Sequence, residues 1–310
     1  MLFVRLIDRA FAKGLGGRGD GTPNLRYFKP SDFGVDGEER FEFLSGENVL
    51  RGARYYVKGK PIKGLLIFFH GLGAGHTAYS QQIAAFAKQG YMVYAYDNTG
   101  CMISSGKDMV GLPMPLFDQR NFFQYLDRQE DVASLKRYAV GHSWGGYAAF
   151  GALKEEYHIE KVVSLAGFRS ALDTTMQRAP ALRKMKGLLK YYFRKRFGED
   201  GVFDGLEMMK KTNKPVMYVQ GENDAVVPFE ACFLTFQKEL EGHDNISFLR
   251  VPKRAHQPYW TEDAQKYYAD LFGVHHFHTL DRDPSFAVDY SRLMADDEKV
   301  LQAIFDFLAD

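Results

Sequence analysis

Apolar positions along this chain follow two rhythms. ERFEFLSG and VLRGARYYVKG, between about residues 39 and 59, read as two strands joined by a short turn, hence an antiparallel hairpin. Beyond them come short, nearly unbroken apolar runs: LLIFF (65–69), YMVYAY (91–96), YAVG (138–141), VVSLAG (162–167) and VMYVQG (216–221). Unbroken apolarity means that both faces of a strand are covered, as in a parallel sheet between helices. Helical periodicity separates the runs. In TAYSQQIAAFAKQG, Tyr79, Ile83 and Phe86 share a face, Lys88 suits the last turn and Gly90 ends the helix.

This alternation predicts an open α/β sheet with ligands beyond the carboxyl ends of its strands. It lapses between about 171 and 213, where no strand is evident and a helical insert is expected, forming a lid over the sheet. From 178 to 196 that insert carries eight basic residues and no acid, with Met185, Leu189, Tyr192 and Phe193 as an apolar stripe. The stripe either lines an acyl pocket or belongs to an ordinary solvated helix. The basic face meets solvent or an anionic head group. With no repeat and no low-complexity linker, residues 1–310 read as one domain with the insert as a subdomain. Residues 14–37, rich in Gly, Pro and Asp, read as an irregular surface passage.

Composition narrows the classes. The formal net charge of +1 gives no global reason to expect nucleic acid. Cys101 and Cys232 are the only cysteines, too few for a disulfide scaffold, and a cytoplasmic setting is expected. Near the start, Phe3, Leu6, Ile7, Ala10 and Phe11 fall at helical spacing, interrupted by Arg5, Asp8 and Arg9, unlike the core of a signal peptide. Such a helix packs on its own domain or lies on a membrane surface. His275, His276 and His278 lack the Asp, Glu or Cys framework of a metal site, and neither metal nor organic cofactor is expected.

The strongest chemical signal is YAVGHSWGGYAAF, in which a strand turns at once into a helix through Gly141, Ser143 and Gly145. That turn lifts a serine hydroxyl above the sheet, beside the first amides of the helix. A serine needs a base. His256, in RVPKRAHQPYW after a strand over 246–251, sits at the carboxyl edge and is the candidate. His142 precedes the serine directly, and successive side chains diverge. The imidazole in turn needs a carboxylate. VMYVQGENDAVVP supplies Asp224, with Glu222 as runner-up. FFHGLGAGH offers a loop (His70, Gly71, Gly73) able to aim amides inward, and the backbone N–H groups of Leu72 and Trp144 are the candidate oxyanion donors.

From about residue 39 to 260 the chain resembles the α/β-hydrolases. The order Ser143, Asp224, His256 is that family's order, HGLG resembles its oxyanion loop, and YDNTGCMISSG resembles its Asp-x-x-Gly-x-Gly-x-Ser loop with Met102 in place of the second glycine. The insert resembles the monoacylglycerol-lipase and serine-aminopeptidase branch. DDEKVLQAIFDFL reads as a closing helix. The expectation is a serine esterase or lipase-like enzyme that passes a small-molecule acyl ester through an acyl-enzyme. The same residues would serve a peptidase, thioesterase or acyltransferase. A ligand-binding protein of the same fold is the reading from another class, although no member of the set is missing.

Overall fold

A computed structural model of the protein describes residues 17–277 and 286–309. Its centre is an eight-stranded sheet of β1 (Gly37–Ser45), β2 (Asn48–Tyr56), β3 (Gly64–Phe69), β4 (Tyr91–Tyr96), β5 (Arg137–His142), β6 (Ile159–Leu165), β7 (Val216–Gly221) and β8 (Ile246–Val251). The spatial order is β1-β2-β4-β3-β5-β6-β7-β8. β1 and β2 form the expected hairpin, and β2 runs antiparallel to β4. All pairings among β3 to β8 are parallel. The chain leaves β3 toward one side to build β4, then returns to place β5 on the other side. A crevice opens where the direction reverses, between the carboxyl ends of β3 and β5.

The helices are α1 (Ser80–Lys88), α2 (Met114–Leu126), α3 (Trp144–Gly151), α4 (Ala171–Arg178), α5 (Lys186–Phe197), α6 (Gly205–Lys211), α7 (Thr235–Glu239), α8 (Glu262–Gly273), α9 (Tyr290–Leu293) and α10 (Glu298–Ala309). Alternate residues of β3 serve opposite layers. Leu66 and Phe68 pack with Ile83 and Phe86 of α1 and with Ile304 and Leu308 of α10. Leu65, Ile67 and Phe69 pack with Leu116 and Phe122 of α2 and with Trp144 and Tyr147 of α3. All six residues of β3 are buried for this reason. At about 1.5–3 kcal/mol for each large apolar side chain removed from water, the two layers hold the strand ends firmly in place. α1 begins one short 3-10 turn (His76–Tyr79) later than its sequence pattern suggests, and Gly90, at φ 93°, ends it as expected.

Between β6 and β7 the chain forms no strand, as expected, and runs through α4, α5 and α6 with 3-10 turns and short irregular stretches between them. Its apolar stripe does not face the crevice. Leu189, Tyr192 and Phe193 close onto Leu172 and Met176 in a cluster of their own, and Met185 is exposed. The amino-terminal passage is more anchored than its composition suggests. Arg18 donates to the carbonyls of Met102, Ser104 and Gly106, Gly19 bridges to Cys101, and the Gly21 amide donates to Gly73 O at 2.9 Å. Met102, which stands in for a glycine of the resembled loop, adopts φ 38°. The amphipathic pattern over residues 3–11 and His278 lie outside the described residues. Among those described, no helix is long and apolar enough to cross a membrane, and no three His, Cys, Asp or Glu side chains group as metal ligands. Cys101 and Cys232 are both free and buried.

A buried carboxyl joins the hairpin to the sheet. Asp118 on α2 accepts from Ser45 Oγ at 2.6 Å, from Thr99 N at 2.7 Å and from Thr99 Oγ1 at 2.8 Å. Burial outweighs these donors and raises its pKa from 3.8 to about 6. A carboxyl protonated more readily in the folded state stabilises the fold at low pH, and that contribution is lost as pH rises from about 4 to 6. Asp118→Asn should flatten this slope, which for the native residue amounts to about 3 kcal/mol. Denaturant melts at pH 4, 5 and 6.5 check it, and identical slopes in both proteins would refute it.

Candidate active site

Ser143 lies between β5 and α3 with φ 57° and ψ −112°, a conformation an L-residue adopts only under constraint. Its amide donates to Leu165 O at 2.8 Å. The flanking glycines are required by space. A Cβ on Gly145 would stand 1.9 Å from the Phe69 carbonyl oxygen, and one on Gly141 would stand 2.1 Å from Gly145 O. The bend therefore forces three backbones together and points the serine side chain into the crevice.

Two later loops complete the arrangement. After β8, His256 brings Nε2 within 2.8 Å of Ser143 Oγ. Its Nδ1 lies 2.9 Å from Asp224 Oδ2 and 3.1 Å from Oδ1. An ionised carboxylate only accepts, so Nδ1 carries the proton and Nε2 is free to take one from the serine. Asp224 follows β7 with a fully buried side chain. Its Oδ1 accepts from the Val226 and Val227 amides, each at 2.9 Å, and its Oδ2 accepts from Gln220 Nε2 at 3.2 Å. Those donors satisfy the carboxylate and fix its plane. Glu222, the runner-up, pairs instead with Arg250.

The β3 loop faces the serine across the crevice. His70 is buried, and burial lowers its pKa, so the ring is neutral. Its Nδ1 donates to Gly71 O at 2.8 Å, and its Nε2 accepts from Asn98 N at 2.9 Å. Gly73 takes φ 90°. Among the described residues, neither the Leu72 nor the Trp144 amide donates to a protein acceptor. Leu72 lines, with Ser143 and His256, a cavity of about 720 Å³, and Trp144 is the residue that follows that serine.

The cavity runs in a direction the sequence does not announce. Tyr27 and Phe28 of the amino-terminal passage, Tyr259 and Trp260 beyond β8, Tyr268 of α8 and Tyr290 of α9 form its aromatic walls. Arg178 alone represents the helical insert among the described lining residues, and none of that lining is Asp or Glu. His142, set aside in the sequence as a base for the adjacent serine, has a different contact: its ring lies 2.8 Å from the His256 carbonyl oxygen.

These features can be set beside known proteins. Residues 60–199 match the family model described as serine aminopeptidase, S33. That segment includes the β3 loop and Ser143 but not Asp224 or His256. No curated protein matches the chain in sequence. An esterase of Pyrococcus furiosus is similar in structure, with a TM-score of 0.62 and 18% identity over 94% of this chain and 97% of its own. Est1E from Butyrivibrio proteoclasticus, solved with ferulic acid bound, has a TM-score of 0.55 and 17% identity over 87% of this chain and 98% of that one. The acylaminoacyl peptidase of Pyrococcus horikoshii gives 0.55 and 17% over 78% of this chain, which spans 42% of that longer protein. These likenesses show that the chain has the α/β-hydrolase fold.

The two carboxylates separate experimentally. If Ser143 and His256 act together on an ester, Asp224→Asn should lower kcat by about 10⁴-fold through the wrong imidazole tautomer, whereas Glu222→Gln should change it less than about twofold. Steady-state kinetics of both variants check the assignment, and the reverse ranking would overturn it.

Proposed function

We propose that the protein is a serine carboxylic-ester hydrolase. The observation that carries this reading is the continuous contact from Asp224 through His256 to Ser143 Oγ, next to two undonated amides. Ser143 attacks the ester carbonyl while His256 Nε2 takes its proton. Asp224 holds the ring and stabilises the imidazolium. The Leu72 and Trp144 amides receive the oxyanion, and one such donor is worth about 3 kcal/mol in the transition state. His256 then protonates the leaving alcohol, and water repeats the cycle on the acyl-enzyme. Every proton passes through His256 Nε2: taken from Ser143, given to the leaving alcohol, then taken from water and returned to Ser143.

The cavity lining supports an ester with an apolar or aromatic acyl group. An aminopeptidase must neutralise a substrate ammonium beside the scissile bond, and a carboxylate is the usual partner for a buried cation. Without Asp or Glu in the described lining, the cavity favours an uncharged acyl group over a free amino terminus. Because the insert's stripe is turned inward, the acyl group is expected to lie between the amino-terminal passage and α8. In this reading the insert roofs the mouth of the cavity through Arg178.

A fluorophosphonate should label Ser143, and Ser143→Ala should abolish labelling and lower kcat by about 10⁴-fold or more. Aryl-acyl nitrophenyl esters should be cleaved faster than aminoacyl nitroanilides. Absence of label on the native protein would leave a binding function, and preferred release of amino acids would point to a peptidase.

A further inference from the structure

The hydroxyl of Tyr79, buried at the end of the turn that precedes α1, meets both halves of the site. It accepts from the Gly71 amide at 3.0 Å and lies 2.9 Å from His142 Nδ1. His142 Nε2 lies 2.8 Å from the main-chain carbonyl oxygen of His256. A carbonyl only accepts, so Nε2 carries the His142 proton and Nδ1 is left to accept from Tyr79. The donors run in one direction, from the Gly71 amide to Tyr79, from Tyr79 to His142 and from His142 to His256. The chain stays neutral in the physiological range. Burial, reinforced by the neighbouring His256, pushes His142 down to about 3, and burial raises the Tyr79 phenol.

The ends of this chain are what make it informative. Gly71 immediately precedes Leu72: Tyr79 pins the His70–Gly71 peptide through its N–H, and His70 Nδ1, donating to Gly71 O at 2.8 Å, holds the next peptide, whose N–H is that of Leu72. The fit is close, since a Cβ on Gly71 would stand 2.5 Å from the Tyr79 oxygen. At the other end the loop bearing His256 is gripped on three successive residues. Gln265 accepts from the Ala255 amide and donates to Gln257 O at 2.7 Å, and His142 holds the carbonyl between them.

We infer that Tyr79 and His142 are positioning residues that fix the separation between the Leu72 amide and the His256 imidazole. This rests on the serine-hydrolase reading, because only there must the two reach one reacting carbonyl together. Neither residue takes a proton from the nucleophile. Each acts by denying the two loops independent movement, and displacement of about 1 Å at a reacting centre costs on the order of 100-fold in rate.

Tyr79→Phe keeps the ring that packs on Phe68 and removes the hydroxyl, leaving the Gly71 amide and His142 Nδ1 without their partner. Its kcat on a nitrophenyl ester should fall by about 10- to 100-fold with KM within about twofold. His142→Gln, which can still donate toward the His256 carbonyl, should retain about tenfold more kcat than His142→Leu. Fluorophosphonate labelling of the native protein runs alongside. A native protein that does not label removes the hydrolase reading itself. A native protein that labels, with Tyr79→Phe labelling equally fast and turning over within about twofold, overturns the positioning role alone. Should Tyr79→Phe fail to fold, the His142 pair decides, and equal losses in Gln and Leu would overturn the proposal.

Discussion

The 2.8 Å contact between Ser143 Oγ and His256 Nε2 joins positions 113 residues apart, and most of the architecture exists to make it. Parallel strands deliver their loops to one edge, so β3, β5, β7 and β8 each release a segment into the same crevice. Opposed helical layers keep those edges still. At the centre, Ser143 is held at φ 57° by glycines that have no room for a Cβ. Backbone crowding there is offset by the packing of β3 and β5 beneath it.

Much of this was legible in the sequence. Runs such as LLIFF are continuous because alternate residues serve different layers, so both faces show as apolar in the chain. β6 starts earlier than its apolar run because exposed Glu160 and half-buried Lys161 lie in its opening turn of pairing, near the rim of the sheet. Ser143, His256 and Asp224 come together where strand-then-loop reasoning expected. Asp224 rather than Glu222 faces the imidazole because two following amides fold back onto its carboxylate.

What escaped the sequence depends on contacts between distant segments. The amino-terminal passage looks irregular, yet Arg18 gathers three carbonyls some 84 to 88 residues away, which no local pattern encodes. The insert's stripe has helical spacing whether it faces a substrate or its own neighbours, and it faces its neighbours. His142 is ill-placed to act as a base for the adjacent serine, and its hydrogen bond to the loop 114 residues later has no signature at all.

The cavity walls have a separate origin from the reactive groups. Tyr27, Phe28, Tyr268 and Tyr290 come from the two flanks of the chain, while the serine, imidazole and carboxylate come from the strand ends. Shape and reactivity are thus written on different stretches of the polypeptide. A change among the flanking aromatics would alter which molecules fit, while the contacts joining Ser143, His256 and Asp224 stayed as they are.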